Sequence, residues 1–506
     1  MIRKQLVTAT LVMATVLYAP AQTSSAPHHW VATWGTAEQL VRVPGGVGGP
    51  GAPGIANGVP AAAGPGANAT GLNAAAGAQA GNTNGLAAVV PAGPGAAAPG
   101  AGVPANDRNL AAMTKSPPRI ASISNQTVRM FARTSMGGQS VRIRLANALG
   151  TTTVLVGAAH IALHDSRSSI VAGSDRVLTF GGKPTATMYA GQVLISDPVK
   201  LNVAPLTDLA VSLYVANDAG SPTTHLVGWR PTYVSGPGDF TGATSIHEPL
   251  ATTISYYWLQ GVDVLAPAEA ATLVTFGDSI TDGDKSTPDT NRSWPSVLAA
   301  RLQADPATKN VSVVNAGIAG NRITGDNNSG LARIYHDALT VPGVKWITVL
   351  EGINDISFAT RTRLGGATGG PPPPSTPFSA EDLIAAYRQI IELAHLQGIK
   401  VIGCTITPNG GSTSHTERGE IIREAANEWI RHSGAFDAVV DFDAVTRDKA
   451  EPQRFGPKAG SPDMLHPGDS GYQMMADAFD VAMFSSKSTT GSSRASRAGR
   501  FPGQRP

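Results

Sequence analysis

A serine hydroxyl attacks a carbonyl only when a neighbouring base takes its proton, and a histidine of near-neutral pKa suits that task. The histidine in turn needs a carboxylate to hold its tautomer and stabilise the imidazolium. This 506-residue chain offers all three: Ser279 in VTFGDSITDG (274–283), then Asp463 and His466 in DMLHPGDSGY (463–472). The apolar run 271–276 reads as a buried strand, and a serine just past such a strand stands where open α/β sheets place their chemistry. Gly, Asp and Ser are also ordinary turn residues, and Asp463-x-x-His466 before Pro467 also suits a helix-capping turn. Two further strings carry the case beyond either motif alone: NAGIAGNR from Asn315 and EGINDI from Glu351.

Together the strings resemble the blocks of the SGNH (GDSL-type) esterase and lipase family, over roughly residues 272–484. The resemblance implies a serine esterase working through an acyl-enzyme, with Ser279 as nucleophile, His466 as base and Asp463 orienting it. It also implies an oxyanion hole built from the N–H groups of Ser279 and Gly317 and the side chain of Asn354. Glycine suits position 317 because it lets backbone approach a ligand closely; a plain strand-end turn is the other reading. Asp278 and Asp355 read as loop-shaping residues, and the reading calls for neither cofactor nor metal. Gly468-Asp469-Ser470-Gly471 looks like a protease nucleophile motif but opens a predicted helix running to Phe484, where Asp or Ser would serve as N-cap. No G-x-S-x-G elbow occurs, which argues against the ordinary α/β-hydrolase fold.

Apolar runs at 271–276, 311–315, 346–350, 400–406 and 438–442 alternate with helical segments, which predicts a doubly wound parallel sheet. The helix over 380–397 is the clearest, with Leu383, Tyr387, Ile390 and Ala394 on one face and a capping box at Ser379 and Asp382. The family resemblance adds a flavodoxin-like α/β fold with strand order 2-1-3-4-5 and helices on both faces, over residues 268–484. Residues 361–378 form a long proline- and glycine-rich loop after the Asn354 block, read either as a lid over the serine or as a surface excursion.

Residues 107–254 change character. In 140–146 Val141, Ile143 and Leu145 alternate with Arg142 and Arg144, and 126–132, 153–163, 192–195 and 209–215 behave similarly. This predicts a β-sandwich-like domain, joined to the α/β unit by a bridging segment at 255–267. It reads as a carbohydrate-binding module or as a structural partner that shapes the cleft; the absence of an aromatic row favours the second. Before it, HHWVATWGTAEQ (28–39) is similar to the Trp-x-x-x-Trp opening of multi-domain members of the family. Its histidine pair has no carboxylate or cysteine cluster beside it to suggest a metal.

The chain holds 57 glycines and 37 prolines with only 15% charged residues, and the stretch 43–106, almost all Gly, Ala, Pro, Val and Asn, reads as a disordered insertion unable to offset its ordering entropy. The tail 485–506 reads the same way. Residues 1–21 have a basic start at Arg3 and Lys4, an apolar core too short to span a bilayer and an Ala19-Pro20-Ala21 cleavage site. That predicts a signal peptide and a secreted or periplasmic protein without stable membrane insertion. A net charge of +2 gives no reason to expect nucleic acid as partner. Cys404, the single cysteine, reads as a buried small hydrophobe. The expected partner is a small-molecule or polysaccharide ester, such as acetylated polysaccharide or an acyl or aryl ester. A lipase or phospholipase and a non-catalytic glycan-binding protein stand as alternatives.

Overall fold

The computed structural model describes residues 28–40, 120–326, 328–360 and 377–485. The stretches expected to be a signal peptide (1–21) and a disordered insertion (43–106), residues 361–376 of the long loop and the tail beyond Ser485 lie outside the described residues.

The alternating runs of the first half form two antiparallel sheets. One has the order His28–Gly35, Leu259–Pro267, Gly138–Ala146, Val193–Ile195, with Val199–Val203 also on Gly138–Ala146. The other centres on Gln126–Arg133, Asp208–Val215 and Val154–Leu163. Val141, Ile143, Leu145, Val262 and Val264 of the first sheet share one core with Val128, Met130, Val211 and Leu213 of the second, so the sheets pack face to face. The stretch 255–267 differs from its expectation as a bridge. Leu259–Pro267 is an interior strand, paired with His28–Gly35 on one side and Gly138–Ala146 on the other.

The second face of Gly138–Ala146 is not solvated as its arginines suggest. Arg144 and Asp263 are buried, and the carboxylate takes Arg142 Nε at 3.0 Å and Arg144 Nε at 3.1 Å. The two cations neutralise an aspartate that would otherwise be costly inside a strand.

The α/β part holds β1 (Ala271–Gly277), β2 (Val311–Gly317), β3 (Val344–Leu350), β4 (Lys400–Cys404) and β5 (Ala438–Val440), parallel and in the order 2-1-3-4-5. Its helices are α1 (Ser279–Asp282), α2 (Trp294–Ala304), α3 (Gly330–Ile334), α4 (Ile353–Thr360), α5 (Ala380–His395), α6 (Glu417–His432), α7 (Phe442–Thr446) and α8 (Asp469–Asp477). Val274, Phe276, Ile347 and Val349 pack on Leu383, Tyr387 and Ile390 of α5 and on α6. Leu273, Val313 and Cys404 pack on Trp294 and Leu298 of α2 and Met475 of α8, so helices cover both faces. The α5 capping contact is present: the Asp382 carboxylate accepts from the Ser379 N–H at 2.8 Å. The helix ends at His395, short of Gln397.

The first strand also belongs to the α/β part. Ala32 donates its N–H to Pro342 O at 2.9 Å, and Ser312 Oγ donates to Ala32 O at 2.6 Å. Among the described residues, no helix is long and apolar enough to cross a membrane.

Candidate active site

All seven residues of β1 are buried, and the chain turns out of the sheet at Asp278, whose N–H meets Leu350 O at 3.3 Å. Asp278 caps α1 by accepting from the Ile280 N–H at 2.9 Å, and the single turn closes at Gly283 with φ +109°. Ser279 is therefore the first helical residue, and its N–H has no helical acceptor. Burial pushes Asp278 up to about 7 against the pull of the Ile280 N–H. Asp355 accepts from the N–H groups of Ile323 and Thr324 and so holds the loop after β2.

Ser279 Oγ lies 2.9 Å from His466 Nε2, and His466 Nδ1 lies 2.8 Å from Asp463 Oδ2. Both Ser279 and His466 are less than a tenth exposed. An ionised carboxylate only accepts, so Nδ1 carries the proton and Nε2 presents a lone pair to the serine. Asp463 Oδ1 is held by the Ser461 hydroxyl at 2.8 Å and by the N–H groups of Leu465 and His466 at 3.0 Å each, a compact loop with Met464 at φ +56°. Burial opposes the charge on Asp463, but the imidazole and these N–H groups outweigh it and hold the carboxyl well below the usual range.

Two neighbours escaped the sequence reading. Asp284 Oδ2 lies 3.5 Å from His466 Nε2, and Lys285 Nζ lies 2.9 Å from Asp284 and 3.7 Å from Asp463. Nothing in their spacing sets them apart from ordinary loop charges.

The turn after β2 departs from its expectation. Gly317 donates its N–H to Asn315 Oδ1 at 2.9 Å, so that donor is used inside the turn. Glycine is required there for a different reason: a Cβ would lie 2.2 Å from the backbone N of Asp282 in α1. Of the next N–H groups, Ile318 donates to Gly277 O and Asn321 to Ile318 O, each at 3.0 Å, while Ala319 faces the Asp282 carboxylate and pulls its carboxyl down against burial. Gly320, exposed and at φ +75°, is left as the N–H of this turn with no acceptor among the described residues. Asn354 Nδ2 donates to Asn321 O at 2.8 Å, which orients the amide and leaves its second N–H available.

Arg333, with no exposed surface, joins the three strand ends. It donates to Gly277 O at 2.9 Å at the end of β1, to Ala316 O at 2.8 Å in β2 and to Glu351 Oε1 at 3.2 Å after β3. The protease-like string forms the start of α8 with Gly468 as N-cap; Asp469 is its first residue and accepts from the Thr287 N–H at 2.8 Å.

The GDSL-like Lipase/Acylhydrolase family matches residues 275–474, the span that carries every one of these contacts to Ser279 and Asn354. No curated protein matches the chain in sequence. Similar solved structures include a GDSL-like lipase from Bacteroides thetaiotaomicron VPI-5482, 19% identical over 42% of this chain and 87% of that one, with a TM-score of 0.29. An acetylxylan esterase from Geobacillus stearothermophilus is 20% identical over 41% of this chain and 92% of that one, with a TM-score of 0.31. An acetyl xylan esterase is 21% identical over 41% and 96%, again with a TM-score of 0.31. With the family match falling on the parallel sheet and its Ser–His contact, the C-terminal α/β domain of this chain belongs to the GDSL-like lipase/acylhydrolase family.

Proposed function

We propose that the chain is an exported serine esterase that hydrolyses carboxylic esters through a covalent acyl-enzyme. The observation that carries this reading is the continuous relay from Ser279 Oγ through His466 to Asp463, with steps of 2.9 and 2.8 Å. His466 Nε2 accepts the serine proton as Oγ attacks the ester carbonyl. Asp463 stays ionised and stabilises the imidazolium. Charge developing on the carbonyl oxygen meets the N–H groups of Ser279 and Gly320 and the free Asn354 Nδ2–H, Gly320 replacing Gly317 because of its unspent donor. The imidazolium then protonates the departing alcohol, and a water activated by the same nitrogen releases the acid.

A β domain ahead of this α/β domain resembles the secreted arylesterase and acylhydrolase branch. Acetylated polysaccharide and small acyl or aryl esters are therefore the substrates to test first. Export rests on the basic start, apolar core and Ala-Pro-Ala site of residues 1–21. A fluorophosphonate probe should modify Ser279 in the wild type and nothing in Ser279→Ala. Absence of labelling in active-site peptides, with no turnover of any ester in an acetyl-to-long-chain panel, would overturn the reading. N-terminal sequencing of the exported protein should begin at Gln22; a retained residue 1 in the exported form would overturn the signal-peptide assignment.

A further inference from the structure

One imidazole of the β domain reaches into the reactive end of the α/β domain. His225 ends the short strand Thr223–His225 and is 3% exposed. Its Nδ1 lies 2.8 Å from Ala37 O and its Nε2 lies 3.0 Å from Asp282 Oδ1. A carbonyl only accepts, so Nδ1 carries a proton. The second contact then needs one more proton, held on Nε2 or on the carboxyl. Burial opposes the imidazolium, but the Asp282 carboxylate outweighs it and His225 keeps its proton above the ordinary value.

Asp282 lies three residues after Ser279, at the end of α1. Its backbone carbonyl accepts from Asn315 Nδ2 at 3.4 Å, and Asn315 Oδ1 in turn holds the Gly317 N–H at 2.9 Å, three residues before the unpaired donor of Gly320. The backbone is fastened at the same place: Asn315 Nδ2 donates to Thr281 O at 2.9 Å, and Gly317 lies against the Asp282 N. A surface pairing between two domains would be exposed and far from the chemistry. This one is buried and ends on α1, against which Gly317 of the turn packs.

We propose that His225 is a positioning residue: through Asp282 it sets the 317–321 turn that aims the Gly320 N–H, which makes the β domain part of the catalytic apparatus. The proposal rests on the esterase reading and on Gly320 as an oxyanion donor.

The test compares steady-state hydrolysis of p-nitrophenyl acetate by wild type, His225→Leu, Asp282→Ala, Asp282→Asn and the double variant His225→Leu/Asp282→Ala. Asp282→Ala and His225→Leu should each lower kcat by about 10–100-fold with KM within about twofold, the pattern of weakened transition-state donation. The double variant should be no worse than Asp282→Ala, since both act through one contact. Asp282→Asn should recover about tenfold of the loss, because its amide can donate to a neutral imidazole and so restore the His225 contact. Assays run well below each variant's Tm, and fluorophosphonate endpoint labelling of Ser279 reports that the nucleophile is intact. Should Asp282→Ala fail to fold, the same comparison is read from Asp282→Asn against His225→Leu. Wild-type kcat in folded His225→Leu, or a loss confined to KM, would overturn the proposal. Unlabelled wild type would instead overturn the esterase reading beneath it.

Discussion

Arg333 Nε donates to Asn321 Oδ1 at 2.8 Å, and the carbonyl of the same asparagine receives Asn354. A fully buried guanidinium thus holds the residue that orients a proposed oxyanion donor. Lysine is a point charge and cannot reproduce a fork spread over several acceptors. Arg333→Lys should lower stability by about 2–4 kcal/mol, in the range for disrupting a buried charged network. It should also lower kcat about tenfold at unchanged KM. Chemical denaturation and steady-state kinetics check the two effects; wild-type kcat in the folded variant would separate Arg333 from the turn.

Ser279→Ala and His466→Ala should each reduce kcat by about 10³-fold or more while the thermal transition is kept. Asp463→Ala should be roughly tenfold to a hundredfold less damaging. The Asp284 carboxylate, 3.5 Å from Nε2, remains to stabilise the imidazolium in that variant. Equal losses for all three would assign Asp463 a role beyond orientation.

The two glycines of NAGIAGNR should separate when each is replaced by alanine. Gly317→Ala drives a Cβ into the α1 backbone and should cost several degrees of Tm or prevent folding. At Gly320 nothing among the described residues lies within 4 Å of a Cβ, so only the left-handed φ is strained, about 1–2 kcal/mol. Gly320→Ala should therefore fold and lose kcat as the turn relaxes. Asn354→Ala should lower kcat by about 10²–10³-fold. A change confined to KM in either would make the residue a ground-state binder.

Glu38 predicts the direction of a pH effect. Burial, reinforced by Asp337 and opposed by Arg144, pushes it up to about 8, and among the described residues neither of its oxygens has a hydrogen-bond partner. Between the ordinary glutamate range and about pH 8 the folded chain keeps a proton that the unfolded chain releases, so stability falls as pH rises through that window. Glu38→Gln should gain on the wild type across it, by an amount that grows steadily from pH 5 to about pH 8. Melting curves from pH 5 to 8 check this; a pH-independent gap would mean that Glu38 does not hold the proton.

The parallel sheet and the Ser–His–Asp relay were legible because apolar runs and the reactive strings coincide at strand ends. Other features depended on partners distant in the chain. The stretch 255–267 reads as a bridge in the sequence; Gln260 and Asp263 interrupt the apolar pattern of Leu259–Pro267, and the arginines that neutralise Asp263 lie far upstream. Gly317 and Gly320 look alike as letters. Which one keeps a free N–H is decided by the Asn315 side chain and by Asp282. His225 carried no signal, since one contact, Ala37, lies 188 residues earlier in the chain and the other, Asp282, lies in the other domain.

The pairing of His28–Gly35 with Leu259–Pro267 also dictates an order of events during synthesis. The first strand emerges long before its neighbour exists, and the sheet stays open until residue 267 is made. Such non-local closure is slow, and it leaves an early strand edge in need of protection. Nascent chains stalled before residue 259 should remain protease-sensitive across Gln126–Arg133 and Gly138–Ala146, and chains extended past 267 should gain resistance. Resistance in the shorter chains would show that the sandwich closes without its interior strand.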